Sequence, residues 1–138
     1  MKKVSIVYAT KTNHSRKIAY AIGKELNVSV ENVTDHPVLL ETDLLFIVSG
    51  IYGGNSLPKL LEFVNSLNSQ MVKSVALVTS CASKECNQDN LKKILNEKGI
   101  KVVDEFVCRG GFLFFYMFHP NSQEIQEAVA FAVDLLER

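Results

Sequence analysis

The sequence predicts a single α/β domain built on a doubly wound parallel sheet of five strands, with helices on both faces. The chain has 138 residues, a length typical of one domain. Short apolar runs rich in β-branched residues alternate with segments whose apolar residues recur at helical spacing. The run Leu44–Val48 is continuously apolar, which is typical of a central strand covered on both faces.

The first half of the chain predicts three strands and two helices. Val4–Tyr8 is predicted to be a buried strand, and a helix follows from about Ser15. Val28–Val33 alternates and predicts a strand nearer the sheet edge, whereas Leu44–Val48 predicts the central strand. Pro58 suits the first turn of a second helix. The apolar side of that helix consists of Leu60, Leu61, Phe63, Val64 and Leu67.

The second half predicts two further strands and two further helices. Ser74–Thr79 is the fourth predicted strand, and a helix capped by Asn87 or Asp89 follows it and ends at Gly99. Val102–Cys108 is the fifth strand. The last helix begins at Pro120-Asn121, and its apolar stripe consists of Ile125, Val129, Ala132, Val133 and Leu136.

No linker or low-complexity tract divides the chain, so residues 1–138 are expected to form one domain. Ligands of such sheets bind beyond the carboxyl ends of the strands. The segments that follow Tyr8, Val48, Thr79 and Cys108 are therefore the places to expect chemistry.

Charge and cysteine content restrict the class of protein. The net charge is zero, which gives no overall field for nucleic acid or an anionic membrane. No apolar stretch reaches the roughly 18 residues of a membrane span, and the start of the chain lacks a secretory leader. Cys81, Cys86 and Cys108 form no disulfide or zinc pattern, so reduced thiols and a cytoplasmic location are expected.

The first segment, Ala9–Ser15, is polar and leads into the first helix. Backbone amides, hydroxyl groups and the helix dipole together make an anion site suited to a phosphate. The glycine spacing of a nucleotide triphosphate or NAD fingerprint is absent. A capped polar turn is the alternative. The hydrogen-bonding side chains of the segment are Thr10, Lys11, Thr12, Asn13, His14 and Ser15.

The stretch Ile6–Ala19 resembles the FMN-phosphate signature of the flavodoxin family. Its hydroxyl positions are occupied by Thr10, Thr12 and Ser15. His14 stands where asparagine is usual, and Asn13 replaces the usual glycine. Asparagine tolerates a positive φ better than most residues, which would preserve the turn. Lys11 would add a positive charge near the phosphate.

The second segment, Ser49–Ser56, contains three glycines that let a flat ligand approach the backbone. It resembles the flavodoxin segment whose aromatic residue packs on the flavin ring, a role that would fall to Tyr52. Backbone groups of Ser49–Gly54 would contact the ring. A flexible turn with a surface tyrosine is the alternative.

The third and fourth segments differ in their aromatic content. Flavodoxins place another FMN contact in the segment that corresponds to Thr79–Cys86, but this chain has no aromatic residue between Thr79 and Leu91, which suggests an open ring face. Two interpretations of Cys81 are open: a thiol near the flavin, and a buried thiol without a chemical role. Phe112–Phe118 is very apolar for a loop. Four interpretations of this segment are open: a cover over the flavin pocket, a homodimer contact, a contact with a membrane or quinone, and a cover over the domain's own core.

The resemblance covers nearly the whole chain and implies the strand order 2-1-3-4-5 with one non-covalently bound FMN. The implied cofactor-binding residues are Thr10, Lys11, Thr12, Asn13, His14, Ser15, Ser49, Gly50, Ile51, Tyr52, Gly53, Gly54, Thr79, Ser80 and Cys81. No metal site and no general acid or base is expected, because the three histidines are scattered. The cofactor itself would do the redox chemistry.

Three functions remain open. The first is an FMN-binding electron carrier that docks a redox partner protein. The second is an FMN-dependent oxidoreductase, either an NAD(P)H or quinone reductase with a small quinone-like acceptor or a relative of the flavodoxin-like protoporphyrinogen oxidases. The third is an FMN-free binding module. The neutral charge lacks the acidity of well-known flavodoxins, yet the carrier is the leading expectation.

Overall fold

Strands and helices alternate along the chain, as the sequence predicts. The computed structural model describes residues 2–10, 13–52, 55–81, 88–109 and 122–137. The strands are β1 (Val4–Ala9), β2 (Val30–Asn32), β3 (Thr42–Tyr52), β4 (Asn55–Ser56), β5 (Val72–Cys81) and β6 (Lys101–Arg109). The helices are α1 (His14–Leu26), α2 (Pro58–Asn65), α3 (Asp89–Glu97) and α4 (Ser122–Glu137), with a 3₁₀ turn at Val33–Asp35.

Five strands form a parallel sheet in the order β2-β1-β3-β5-β6. The two-residue strand β4 lies off this path and pairs antiparallel with the end of β3. Without β4 the order is 2-1-3-4-5, which confirms the prediction. Because β3 lies between β1 and β5, its middle is paired on both sides.

Helices cover both faces of the sheet, because successive side chains of a strand point to opposite faces. Ile47 and Leu77 share one buried cluster with residues of α2 and α3, whereas Phe46 and Val78 share the other with residues of α1 and α4. The whole run Leu44–Val48 is buried, as expected of the central strand.

Element ends differ from the prediction where pairing overrides local pattern. β3 continues past Val48 to Tyr52, through residues that the sequence assigns to a loop, because β1 and β5 pair it as far as Ser49 and Gly50 and β4 pairs the remainder. β2 is shorter than predicted and stops before Val33, which begins the 3₁₀ turn.

For α3, the predicted C-terminal glycine is confirmed and the predicted N-terminal cap is not. Gly99 follows α3 at a φ of 74°, as predicted for a glycine after a helix. Asp89 is not a cap but the first helical residue, and Gln88 occupies the cap position. Asn87 lies outside the described residues. No described helix is both long enough and apolar enough to cross a membrane.

Candidate functional site

Four strands end side by side at the carboxyl edge of the sheet. Ala9 of β1 lies opposite Ser49 of β3, Ser49 lies opposite Thr79 of β5, and Thr79 lies opposite Val107 of β6. The four segments that the sequence singles out therefore leave the sheet at one edge. This is the edge where ligands of open α/β sheets bind.

The turn from β1 into α1 has the backbone form that its sequence predicts. Asn13 has φ 69° and ψ 2°, the left-handed conformation that glycine adopts most readily. Its carbonyl oxygen accepts a hydrogen bond from the backbone N–H of Lys17 at 3.1 Å, which begins the helix. Its side chain makes no capping hydrogen bond. Asparagine thus serves where the resembled signature has glycine.

Ser15 carries the most informative polar atom of this turn. Its side chain is fully buried. Among the buried side-chain oxygen and nitrogen atoms of the described residues, Ser15 Oγ is the one without a hydrogen-bond partner. Leaving a buried hydroxyl unpaired costs about 1–3 kcal/mol. Ser15 lies in the first turn of α1, where helical N–H groups also lack partners within the helix. A bound anion would satisfy both sets of donors.

The part of the sequence that contains this turn is basic. Residues 2–24 include six lysine and arginine side chains and no carboxylate, and Arg16 and Lys17 lie in the first turn of α1. The guanidinium of Arg16 lies 5.2 Å from the centre of the Tyr20 ring, and its hydrogen bond to Tyr20 raises the pKa of Arg16 above its ordinary value. Tyr20 also lies against Tyr8, with ring centres 6.0 Å apart. Arg16 therefore places a positive charge in the first turn of α1, a location that favours anions.

Behind the ends of β3 and β5 lies a buried polar cluster that the sequence analysis missed. Gln88 Oε1 accepts hydrogen bonds from Ser49 Oγ at 3.2 Å and from Ser56 Oγ at 3.1 Å. Gln88 Nε2 donates to Thr79 Oγ1 at 2.6 Å. The side chains of Ser49 and Thr79, both candidates from the sequence, are therefore bonded within the protein.

The remaining candidates on β3 and β5 whose side chains are described are buried. Gly50 lies opposite Ser80 in the ladder between these strands. Ile51 and Cys81 form a small apolar cluster against which Val107 packs. These residues therefore form a small apolar cluster at the carboxyl end of the sheet.

The expectation of reduced thiols is wrong for Cys81, which is disulfide-bonded. Cysteine number and spacing led to the wrong expectation because neither reports the distance between Cβ atoms. That distance decides whether a disulfide can form.

Several sequence candidates fall outside the described residues. These are Lys11, Thr12, Gly53, Gly54, the side chain of Tyr52 and the segment Phe112–Phe118. Thr10, Asn13 and His14 are described and lie at the turn before or at the start of α1. Within the described ranges, no group of three or more His, Cys, Asp or Glu side chains is arranged to hold a metal ion.

The chain is similar to known proteins in both sequence and structure. A family model described as a flavodoxin domain matches residues 5–125. A comparison with curated proteins finds no match. Oxidised flavodoxin 2 from Bacillus cereus superposes with a TM-score of 0.72 at 16% identity, over 98% of each chain. A flavodoxin from the domain Archaea gives 0.66 at 19% identity, over 98% of this chain and 96% of that one.

A third similar structure is an enzyme. NAD(P)H:quinone oxidoreductase from Methanothermobacter marburgensis gives a TM-score of 0.66 at 11% identity, over 97% of this chain and 98% of that chain. At such identities these likenesses establish the shared fold alone, because one fold hosts many functions.

Proposed function

The chain belongs to the flavodoxin domain family, and from this premise we propose that it binds one FMN non-covalently and uses it for electron transfer. The observation that carries the proposal is the buried hydroxyl of Ser15, which has no partner among the described residues. It lies in the first turn of α1, two residues after the left-handed residue Asn13. A phosphate group is the ligand that such a turn suits best.

The residues fit FMN in two places. Its phosphate would be held by the turn that contains Thr10, Lys11, Thr12, Asn13, His14 and Ser15. Its ring would lie against the β3–β4 hairpin, where backbone groups of Ser49–Gly54 and the ring of Tyr52 provide contacts. Backbone groups of Thr79, Ser80 and Cys81 would border the ring from β5.

Bound FMN would supply the one-electron and two-electron chemistry. The protein would supply orientation, exclusion of water and hydrogen bonds to the ring. The buried apolar cluster of Ile51 and Cys81 would exclude water from the end of the sheet next to the ring. Lys11 and Arg16 would balance the charge of the phosphate, since the first 24 residues contain no carboxylate to oppose them.

A second candidate is an FMN-dependent oxidoreductase that reduces a small quinone-like acceptor. The observation that favours it is the lack of aromatic residues between Thr79 and Leu91, because a ring face that no side chain covers is open to a substrate. Turnover of NAD(P)H with a quinone by the isolated protein would identify the enzyme. An electron carrier would instead need a second redox protein.

The partner follows from the same proposal, since a carrier would dock a redox protein. We propose a cytoplasmic location as a separate point, and the disulfide of Cys81 removes the support that reduced thiols would give it. The apolar segment Phe112–Phe118 is the proposed contact of a homodimer. Light scattering of the purified protein at several concentrations tests that contact, and a strict monomer would contradict it.

The visible absorption spectrum of the purified protein tests FMN binding. We expect a yellow protein, or a colourless one that turns yellow with added FMN, and release of FMN rather than FAD on denaturation. A colourless protein that ignores added FMN would leave only the third alternative, a binding module on the same fold.

A further inference from the structure

The amide side chain of Gln88 is buried inside the protein. It is 1% exposed and is among the largest fully buried side chains of the described residues. Glutamine is mostly a surface residue, and a buried amide is tolerated when its donors and acceptors are paired. Gln88 meets this condition through three side-chain hydrogen bonds.

The three bonds join three separate strands. Oε1 accepts from Ser49 of β3 and from Ser56 of β4, and Nε2 donates to Thr79 of β5. These partners lie 39, 32 and 9 residues from Gln88 in the chain. The backbone carbonyl of Gln88 accepts from the N–H of Lys92 at 2.9 Å, which fixes Gln88 to the first turn of α3. Gln88 therefore anchors the end of the sheet to α3.

The β3–β4 hairpin has a much shorter ladder than the central strands have. Its ladder has two residue pairs, Ile51 with Ser56 and Tyr52 with Asn55. An isolated hairpin of this size is at best marginal in water. The hydroxyl of Ser56 bonds to Gln88 at 3.1 Å and ties β4 to α3. The described contacts of β4 therefore include this short ladder and the bond to Gln88.

Gln88 also stands between two of the segments that the proposed function assigns to the flavin ring. Its side chain forms hydrogen bonds with Ser49 and Ser56, the first and last residues of the Ser49–Ser56 segment. Its backbone immediately follows the segment that begins at Thr79, since residues 82–87 lead directly into it. A substitution at Gln88 would therefore remove hydrogen bonds to both segments, at Ser49 and Ser56 in one and at Thr79 in the other. The sequence analysis assigned Gln88 to neither segment.

We infer that Gln88 is a positioning residue of the flavin site, which fixes the β3–β4 hairpin in the place that FMN requires. The inference rests on the proposed function and deepens it. Gln88 acts through Ser56 and the hairpin backbone. Loss of its amide leaves the hydroxyls of Ser49, Ser56 and Thr79 without this partner. The β3–β4 ladder, with two residue pairs, is the shortest ladder of the described strands.

The test is Gln88→Met, which keeps the length of the side chain and removes its polar atoms. Amide hydrogen exchange in the FMN-free protein should accelerate at least about tenfold in the β3–β4 hairpin relative to Ile47 in the middle of β3. The dissociation constant of FMN should rise at least about tenfold, and the midpoint potential of bound FMN should shift. Gln70→Met at an exposed turn is the matched control and should change none of these quantities.

Ser56→Ala is the second variant, since it removes one hydroxyl and is expected to fold even if Gln88→Met does not. It should change hairpin exchange and FMN affinity in the same direction. Exchange that accelerates equally throughout the sheet, or FMN affinity and exchange within twofold of the wild type, would overturn the inference. If the wild-type protein binds no FMN, the proposed function fails, and the exchange comparison still decides whether Gln88 holds the hairpin.

Discussion

Gly23 of α1 lies so close to Val30 of β2 that a Cβ atom at Gly23 would stand 2.5 Å from Cγ2 of Val30. The same atom would stand 2.8 Å from the carbonyl oxygen of Val28. The backbone N–H of Val28 in turn bonds to the carbonyl of Gly23 at 2.9 Å. The glycine therefore lets α1 pack directly on the edge of the sheet, and this contact fixes the helix whose first turn forms the proposed phosphate site.

Gly23→Ala is expected to lower the free energy of unfolding by about 1–2 kcal/mol. Overpacking in a core costs about 1–3 kcal/mol, and the better helix propensity of alanine returns at most about 1 kcal/mol. Val30 can rotate away, but the Val28 carbonyl belongs to the backbone and cannot. Urea unfolding measures the change, with Lys24→Ala at the exposed neighbouring position as control. Equal stability of the glycine and alanine proteins would show that the contact is loose.

Asn13→Ala is expected to lower both stability and FMN affinity, because alanine adopts a left-handed backbone less readily than asparagine. The expected loss of stability is about 1 kcal/mol. Asn27, at the other end of α1, has φ 57° and provides the control. Asn27→Ala should cost similar stability and leave FMN affinity unchanged. Asn13→Gly should retain both properties. An Asn13→Ala protein that binds FMN like the wild type would remove this turn from the site.

Ser15→Ala is expected to separate stability from binding. The FMN-free protein should keep its stability or gain some, since the buried hydroxyl has no described partner to lose. FMN affinity should fall about tenfold, equivalent to about 1.4 kcal/mol, through loss of a hydrogen bond to the phosphate. Isothermal titration of FMN and thermal unfolding give the two readings. Ser66→Ala, at a hydroxyl that bonds to the Phe63 carbonyl, should leave FMN affinity unchanged. A Ser15→Ala protein with lower stability but normal affinity would contradict the proposal.

Tyr52→Ala should weaken FMN binding by about 1–3 kcal/mol, in line with loss of a buried aromatic contact. Tyr52→Phe retains the ring and should bind FMN nearly as well as the wild type. Quenching of FMN fluorescence during titration measures both affinities. If the alanine and phenylalanine proteins bind alike, the tyrosine ring does not stack on the flavin.

One free thiol is expected per chain when the protein is unfolded under non-reducing conditions, because Cys81 is disulfide-bonded and the chain contains three cysteines. Prior treatment with a reductant should expose all three. Titration with a chromogenic disulfide reagent gives the count. Cys81→Ser should leave two free thiols without reductant. Three reactive thiols in the untreated wild-type protein would restore the original expectation of reduced cysteines.

Much of the fold follows from the sequence because apolar periodicity reports burial directly. Leu44–Val48 is continuously apolar, and the structure places it in the centre of the sheet. The left-handed backbone at Asn13 is also readable, because the polar turn resembles a signature that has glycine there. By contrast, nothing in the pattern of Ser49–Tyr52 indicates that these residues extend a strand. Their conformation depends on pairing with β1 and β5, which are distant in sequence, and with the short strand β4 that follows.

The sequence by itself determined the order of strands and helices, the parallel sheet and the edge at which its polar segments gather, since these follow from local hydrophobic spacing. Only the tertiary structure decided that Gln88 is buried, that Ser15 lacks a described partner and that Cys81 is disulfide-bonded. Each of these facts depends on distances between residues remote in the chain. A pattern of residue types contains no such distances, and packing sets them.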